Sequence, residues 1–375
     1  MATLGTVLVV GGSVAGMSCA IQLRKAGIAV DLIDIDPHWR SYGAGITITG
    51  PTLRALKTLG VLEQVKALGA VWNGARVFSQ AGELLEELSI PPLAPDLPGT
   101  GGIMRPVLHQ ILSGRTLELG ANVRLGLTVS GLEQHGDRVE VQFSDSSRGA
   151  YELVIGADGI FSAMRARVFP EAPQPQFTGQ VIYRIVAERP AGFDRTHFFM
   201  GRDIKVGFNP VSPTHMYMFL LHAEPSNPRL DPKDMPRRLH QRMAGVGGFV
   251  PQVRETVLST NAHTINYKAL DVHLLPQPWY RDRVLLVGDA AHATTPHLAS
   301  GAGMAIEDGI VLADELARGR ELDEVLRRFM ERRFERCRLV IENSVKLGQI
   351  EMSHGSTAEH GRLMTEALAL LRQPI

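Results

Sequence analysis

The residues of this chain that could do chemistry begin with a glycine-rich turn and an aspartate. The turn reads Gly11-Gly12-Ser13-Val14-Ala15-Gly16 and lies between the apolar run Thr6–Val10 and a helical pattern. Asp34 ends the next apolar run and is followed by Ile35. Such a turn places a pyrophosphate over a helix N-terminus, while an acid at the second strand end accepts from ribose hydroxyls. We therefore predict that these residues bind a dinucleotide.

The turn departs from the usual dinucleotide fingerprint at its middle position. Ser13 replaces a glycine there. Its hydroxyl can donate to a phosphate, but its Cβ leaves less clearance for the ligand. Asp36 is an alternative ribose contact, ranked second because Pro37 places it in the following loop.

A second motif runs from Val284 to Asp308. The apolar run Val284–Val287 leads into Gly288-Asp289, and Pro296 precedes the small residues Ala299-Ser300-Gly301-Ala302-Gly303. An acid at a strand end accepts from hydroxyls, and a glycine-rich helix entry lets a backbone approach a ligand closely. The pattern predicts a second ligand contact, with an ordinary strand–turn–helix corner as the alternative.

Three further features favour the same ligand. The small residues around Gly45 and Ile46, in the segment Tyr42–Thr49, are typical of a backbone that passes close to a ring system. Arg105 precedes Pro106 at a helix start, where it reaches a phosphate or polyol chain or is simply solvated. Asp158 and Gly159 end another apolar strand, and an ordinary turn is the alternative.

Composition limits the class of partner. The chain has 375 residues, 44% hydrophobic and 21% charged, with 39 Lys plus Arg against 39 Asp plus Glu. This balance argues against nucleic acid or a membrane surface and favours a small molecule. Two isolated cysteines indicate a cytoplasmic protein with neither disulfides nor a metal site. We also expect neither a signal peptide nor a membrane span.

The periodicities predict an α/β fold. A Rossmann-like domain comprises residues 1–75, 99–175 and 270–350, and an inserted antiparallel β-sheet domain comprises 76–98 and 176–269. Residues 351–375 form a C-terminal tail with a short helix. Single elements are expected at Pro51–Leu68 (helix), Val123–Val129 (strand) and Tyr151–Ile155 (strand).

The motifs in this order resemble the FAD-dependent aromatic hydroxylases of the para-hydroxybenzoate hydroxylase family. The resemblance implies that Gly11, Gly16 and Asp34 bind the ADP moiety of FAD. It gives Asp158 and Gly159 a role toward FAD and the nicotinamide cofactor, and Arg105 one toward the phosphates. Asp289, after Gly288, binds the ribityl chain, Pro296 lines the oxygen-reaction site, and Gly301 lies under the isoalloxazine. The chain departs from the family at Ala299–Gly303, where Gly-Gln-Gly-x-Asn is common.

The resemblance also implies a reaction. NADH or NADPH reduces FAD, O₂ forms a C4a-hydroperoxyflavin, and a phenol- or hydroxypyridine-like ring is hydroxylated. A base near the ring would help, and His297, beside Pro296, is the candidate, with a loop-stabilising histidine as the alternative. On the inserted sheet, Tyr217 and His215 share a strand face, and Tyr183 lies on another strand; each is a candidate substrate contact or ordinary packing.

Other functions stay open from sequence. An FAD-dependent reductase or halogenase would share the fold, although the three tryptophans are isolated and the halogenase Trp-x-Trp-x-Ile-Pro signature is missing. A non-catalytic flavin-binding regulator would bind FAD without substrate-stimulated NAD(P)H oxidation. A homodimer is the expected form if the chain assembles.

Overall fold

A computed structural model describes residues 4–41 and 43–375, so Tyr42 of the predicted ring-contacting segment lies outside the described residues. Its first layer is a six-stranded sheet in the order β18-β19-β12-β1-β2-β8. Adjacent strands are parallel except β18 with β19. The strands are β1 (Thr6–Val10), β2 (Ala29–Asp34), β8 (Asn122–Leu125), β12 (Leu153–Gly156), β18 (Tyr280–Arg281) and β19 (Val284–Leu286).

Helices cover both faces of this sheet, which is why its central strands are apolar and buried. Two of the helices pack unusually closely, because a Cβ on Gly309 would lie 2.7 Å from the backbone nitrogen of Cys19. The helices of this layer are α1 (Val14–Lys25), α2 (Gly50–Leu59), α3 (Leu62–Leu68), α4 (Arg105–Glu118), α5 (Ala163–Val168), α8 (Asp289–His292) and α9 (Gly301–Ala317).

The second layer is a seven-stranded sheet in the order β17-β13-β16-β15-β14-β5-β6. Its pairs are antiparallel, as predicted, except that β14 runs parallel to β5. Helices α6 (Met235–Arg242) and α7 (Val250–Val257) bury one face in a separate core. The strands are β5 (Gly74–Ser79), β6 (Leu84–Ser89), β13 (Gln176–Glu188), β14 (Thr196–Met200), β15 (Ile204–Pro210), β16 (His215–Ala223) and β17 (Asn266–Leu274).

Two three-stranded sheets complete the β structure. One has the order β3-β7-β4 and lies between the two layers, and the other has the order β11-β10-β9. Their strands are β3 (Gly45–Thr49), β4 (Ala70–Trp72), β7 (Thr100–Met104), β9 (Val129–His135), β10 (Arg138–Phe143) and β11 (Arg148–Tyr151).

Three predicted single elements are each divided in the structure. The helix expected over Pro51–Leu68 ends at Gly60, whose φ of 84° caps α2 in the left-handed region. Gly126, with φ of 73°, separates β8 from β9 within the strand expected over Val123–Val129. The strand expected over Tyr151–Ile155 divides because Tyr151 pairs with β10 while β12 pairs with β1.

The C-terminal part is more helical than the sequence indicated. Helix α10 (Leu322–Met352) has 31 residues, and α11 (Thr357–Arg372) has 16. Among the described residues, each helix is either too short or too polar to span a bilayer. The α/β class with a Rossmann-like layer, a β-sheet layer and C-terminal helices is confirmed. The domain boundaries stay a prediction.

Candidate active site

The fingerprint turn has the geometry that its glycines indicate. Gly11 has φ of 105°, and a Cβ there would lie 2.5 Å from the carbonyl oxygen of Ala157. Ser13 caps α1: its Oγ accepts from the Gly16 amide at 3.3 Å and donates to the Ala157 carbonyl at 3.0 Å. The serine hydroxyl therefore ties the turn to the end of β12, and phosphate recognition falls to the backbone amides at the helix N-terminus.

Asp34 lies where a ribose acid should, at the carboxyl end of β2. Its carboxylate accepts from the amides of Gly12, at 2.6 Å, and Asp36, at 2.7 Å. Asp36, the alternative, accepts from the amides of His38 and Arg40 within its own loop. The half-buried Asp34 is therefore the better placed of the two acids, and Ile35 beside it is 72% exposed.

Two aromatic side chains that sequence reasoning missed lie against this turn. Trp39 donates from Nε1 to the Gly12 carbonyl at 2.9 Å, and its ring meets that of His109 edge-on at 5.7 Å. A Cβ on Gly12 would overlap the indole. Desolvation lowers the pKa of His109, although Asp34 opposes the shift. Only the isolated position of Trp39 in the loop after β2 could have drawn attention to it.

Arg105 opens α4 and faces the second motif. Within the described chain, its buried Nε has no hydrogen-bond partner. Desolvation and the nearby Arg184 lower the pKa of Arg105, and Tyr217 and Asp289 oppose the shift. Because a buried guanidinium nitrogen without an acceptor is costly, the site fits an anionic ligand such as a phosphate.

Asp158 has a structural role at the end of β12. Its carboxylate accepts from the hydroxyl of Ser162 and, at 2.9 Å, from the amide of Met164, so it stabilises the start of α5. Gly159 follows with φ of 84°. Arg165 of α5 then donates to the Ala290 carbonyl at 2.8 Å. Asp158 therefore stabilises the helix whose Arg165 holds the turn after Asp289.

The two glycine motifs meet at Gly288. It has φ of 58°, and a Cβ there would lie 2.6 Å from Cβ of Ala15. Asp289, next in the chain, is exposed to solvent in a recess, where desolvation raises its pKa and His292 and Arg105 oppose the rise. An aspartate in this position can accept from the hydroxyls of a polyol chain.

A buried ionic cluster holds the Gly288 turn in place. Asp308 accepts from the Gly288 amide at 2.8 Å, from Nε2 of His292 at 2.6 Å and from Nε of Arg333 at 2.8 Å. Desolvation would lower the pKa of His292, but the Asp308 carboxylate and Cys337 together outweigh it and hold that pKa well above its usual range. His292 therefore braces the turn. Arg333 also donates to Glu307 at 2.7 Å.

Cys337 lies beside His292 and Asp308, with the ligand atoms of the three side chains within 4.8 Å of one another. Arg333 lies in the same cluster, 3.3 Å from the cysteine sulfur. Its guanidinium already neutralises Asp308, so the cluster has the charge pattern of ion pairs, and a metal cation would compete with Arg333.

The predicted flavin loop is a short turn before α9. Ala299 adopts the left-handed region with φ of 48°, and Ser300 donates from Oγ to the Leu298 carbonyl at 2.7 Å. Gly301 and Ala302 are half-buried, so part of their surface is open to solvent. Gly303 is buried, and a Cβ there would overlap Thr52 of α2.

The sheet layer faces this loop through β3. Gly45 contacts Tyr217, since a Cβ on Gly45 would lie 2.6 Å from Cβ of the tyrosine. Ile46 pairs with Ile103 in the small sheet. Arg184 donates from Nε to the Tyr217 hydroxyl at 3.1 Å. Gly45, Tyr217 and Arg105 therefore lie around one recess, with Asp289 opposite.

His297, beside the half-buried Pro296, is buried with 8% exposure. Its Nδ1 lies 2.8 Å from Oγ1 of Thr295, and its Nε2 lies 3.4 Å from Oε2 of Glu351. Glu351 accepts from Lys205 at 2.8 Å and pairs with His360 at 3.1 Å. Helix α10 therefore contacts the candidate base through Glu351, and α11 contacts that glutamate through His360.

Two predicted substrate contacts lie elsewhere. Tyr183 belongs to the core under α6 and α7, where its ring stacks with His222 at 5.9 Å. His215 is exposed at the first residue of β16 and bonds to Thr214 at 2.9 Å. For Tyr183 this favours the alternative of ordinary packing, because side chains alternate along a strand and its face of the sheet is the one that α6 and α7 cover. The roles of Tyr183 and His215 toward a substrate stay predictions.

Fold and site together define a flavoprotein with a Rossmann-like FAD layer beside a second sheet. The family model described as FAD binding domain matches residues 5–344. The chain belongs to this family, which confirms the resemblance to the para-hydroxybenzoate hydroxylase-type enzymes. It is an FAD-dependent monooxygenase.

Relatives and solved structures span nearly the whole chain. It is 32% identical to the aurachin C monooxygenase/isomerase of Stigmatella aurantiaca, over 92% of this chain and 89% of that protein. It is 29% identical to the FAD-dependent urate hydroxylase of Klebsiella oxytoca, over 93% of this chain and 90% of that one. The Klebsiella pneumoniae HpxO structure with FAD and uric acid superposes with a TM-score of 0.85, at 25% identity, covering 98% and 93%.

Proposed function

We propose that this monooxygenase uses NAD(P)H and O₂ to hydroxylate a small aromatic or heteroaromatic ring, of the phenol or hydroxypyridine kind. The observation that carries the proposal is the proximity of Arg105 to Asp289 of the first layer and to Arg184 and Tyr217 of the second sheet. The first layer has the groups that a flavin requires, and Tyr217 lies on the face of the second sheet that α6 and α7 leave uncovered.

The residues that would hold FAD follow from the geometry. The turn Gly11–Gly16 and Asp34 would bind the ADP end, and Arg105 would neutralise a phosphate through its unpartnered Nε. Asp289 would accept from the ribityl hydroxyls, and the backbone of Gly301 would contact the ring. Bound FAD supplies the redox chemistry, with NAD(P)H as reductant and a C4a-hydroperoxide as the oxygen-transferring form.

The reaction balances with one nicotinamide and one oxygen molecule. NAD(P)H, a proton, O₂ and the ring give NAD(P)⁺, water and the hydroxylated ring. The protein must orient the ring, exclude water and move a proton. The apolar side chains Ile182, Leu221 and Leu270 form a buried cluster on the sheet, and His297 is the proposed proton acceptor or ring contact.

The test is a turnover screen with the purified FAD-loaded protein. Phenols, hydroxybenzoates and hydroxypyridines are added singly, and consumption of NADH or NADPH and of O₂ is measured beside product by mass spectrometry. We expect at least one ring compound to stimulate both and to yield a product 16 mass units heavier. Stimulated NAD(P)H oxidation without an oxygenated product would favour a reductase. FAD binding without stimulation by any ring would favour a regulator.

A further inference from the structure

A row of side chains crosses the second sheet on the face that α6 and α7 leave uncovered. Gly207 of β15 pairs directly with Phe198 of β14 and with Phe219 of β16. Phe219 in turn pairs with Arg184 of β13, and directly paired residues lie on the same face of a sheet. Each of the four has a chain neighbour in the core under α6 and α7, so the row itself lies on the opposite face. These neighbours are Phe199, Phe208, Met218 and Tyr183.

The ring of Phe219 lies over Gly207. A Cβ on this buried glycine would lie 2.2 Å from Cζ of Phe219 and 2.4 Å from its Cε1, so the ring occupies the position of a side chain at residue 207. The rings of Phe198 and Phe219 meet edge-on at 6.2 Å. A glycine inside a strand often marks a place where a ligand approaches the sheet closely. Phe198, Gly207 and Phe219 therefore form an aromatic surface above which the sheet carries no further side chain at residue 207.

The aromatic surface is only half-buried, although the sheet is covered on either side of it. Tyr217, two residues before Phe219 on β16, packs against Gly45 of β3. On the other side of the row, Lys205 of β15 donates to Glu351 of α10 at 2.8 Å. Half-buried aromatic rings between two covered positions indicate a gap between β3 and α10, and concave sites lined by aromatic side chains are typical of small-molecule binding.

Arg184 joins this aromatic surface to the proposed flavin site. Its Nε donates to the Tyr217 hydroxyl at 3.1 Å. Desolvation lowers the pKa of Arg105, Arg184 lowers it further and Asp289 opposes the shift, so Arg105 lies near both of these residues. Within residues 4–41 and 43–375, the other two nitrogens of Arg184 form neither a hydrogen bond nor an ion pair. Two guanidiniums beside one carboxylate leave an excess of positive charge, which an oxygen atom of a ligand can offset.

We propose that the substrate ring stacks on Phe219 and that Arg184 binds the oxygen substituent of that ring. The assignment rests on the proposed function, and it adds two specificity-determining residues to the site of Arg105, Asp289 and Tyr217. Directly paired residues of neighbouring strands lie about 5 Å apart at Cβ, so a ring stacked on Phe219 has its substituent within reach of the Arg184 guanidinium. Stacking on Phe219 selects for a flat π-system, and the guanidinium selects for an oxygen on its edge.

The role of Phe219 is tested with 4-nitrophenol as a coloured probe of the FAD-loaded protein and with phenol and cyclohexanol as competitors. The two competitors have one hydroxyl each and similar size, but only phenol is aromatic. We expect phenol to displace the probe at an about fivefold lower concentration than cyclohexanol. Phe219→Leu should reduce this preference to within about twofold, whereas Phe219→Tyr, which keeps the ring, should retain it. Phe198→Leu, at the other half-buried phenylalanine of the row, is the matched control and should retain it too.

The role of Arg184 is tested by the ionisation of the same probe, because 4-nitrophenolate absorbs at longer wavelength than 4-nitrophenol. A neighbouring guanidinium favours the phenolate, so we expect the pKa of the bound probe to lie at least about one pH unit below its value in water. Arg184→Gln should reverse about half of this decrease, since Arg105 remains, and Arg184→Lys, which keeps the charge, should reverse less. Arg148→Gln, at an exposed arginine of β11, is the matched control and should leave the pKa of the bound probe unchanged.

Failure of 4-nitrophenol to bind, equal displacement by phenol and cyclohexanol, or an unchanged preference in Phe219→Leu would overturn the stacking role of Phe219. An unchanged pKa of the bound probe in Arg184→Gln would overturn the role of Arg184. The two proposals fail separately. Oxygenated product with the same kcat/KM in the wild type and in both variants would leave the monooxygenase proposal standing and remove these two roles. Probe binding that depends on Phe219 and Arg184 as expected, without product from any ring, would do the reverse.

Discussion

Nε2 of His292 lies 2.6 Å from Oδ2 of Asp308, and both side chains are buried. The same carboxylate oxygen accepts from the Gly288 amide, one residue before Asp289. Asp308→Asn would leave a protonated His292 without its anion and Arg333 with Glu307 alone. Removing one partner of a buried pair costs about 3–5 kcal/mol, so we expect this loss in urea unfolding and weaker FAD binding by flavin fluorescence.

Asp314→Asn is the matched control on the same helix. Asp314 is exposed and pairs with Arg318 and Arg332, and an exposed pair contributes about 0–1 kcal/mol. If the two variants lost equal stability, the buried cluster would not be what holds the Gly288 turn.

The fingerprint could be predicted from sequence because its demands are local. Gly11 needs a positive φ, Gly16 needs the space under its own turn, and both requirements lie within a few residues. Asp34 at the end of β2 follows from the same βαβ pattern. The position of Asp289 at a strand end, after Gly288, could be predicted because it too depends on a local strand–turn–helix pattern.

The supporting cluster could not be predicted, because it joins residues whose proximity depends on helix packing. Arg333 reaches Asp308 only since α10 lies along α9, and α10 also carries Glu351 to His297. Period-2 spacing likewise shows which side chains share a strand face but not which face α6 and α7 cover. The sequence therefore could not show that Tyr183 lies in the core under α6 and α7, whereas Tyr217 lies on the opposite face of the sheet.

The surroundings of Glu351 predict that the free energy of unfolding depends on pH. Desolvation raises the pKa of its carboxyl, but Lys205, His297 and His360 outweigh it and hold that pKa well below its usual range. A depressed pKa stabilises the fold above the unfolded-state value of about 4.3, and this contribution is lost as pH falls below it. Glu351→Gln should cost about 2 kcal/mol at pH 7 in urea unfolding, and less at about pH 3.5.

Glu366→Gln is the control for this pH series, since Glu366 is exposed on α11 and pairs with Arg362 in the preceding turn of the helix. It should change stability by less than about 0.5 kcal/mol at either pH. A Glu351→Gln deficit that stayed constant with pH would show that the carboxylate charge does not stabilise the fold.

His297→Ala tests the proposed proton acceptor. Its imidazole belongs to the turn just before Ala299–Gly303 and is held by Thr295 and Glu351. Loss of a general base slows the chemical step by about a hundredfold or more, while FAD affinity should change little. Single-turnover hydroxylation of the best ring from the screen measures the rate of the chemical step, and flavin fluorescence measures FAD affinity. The control His263→Ala, at an exposed histidine, should change neither the hydroxylation rate nor FAD affinity. Unchanged turnover in His297→Ala would remove His297 from the mechanism.

Tyr217→Phe and Tyr183→Phe compare the two faces of the second sheet. Tyr217 accepts from Nε of Arg184 beside Arg105, so losing its hydroxyl frees a guanidinium at the recess. Tyr183 lies under α6 and α7, where burial raises its pKa to about 12. We expect Tyr217→Phe to lower kcat/KM about tenfold with FAD still bound, because one hydrogen bond to a charged group is lost. Tyr183→Phe should leave kcat/KM within about twofold. Equal losses would mean that the substrate does not use the Tyr217 face.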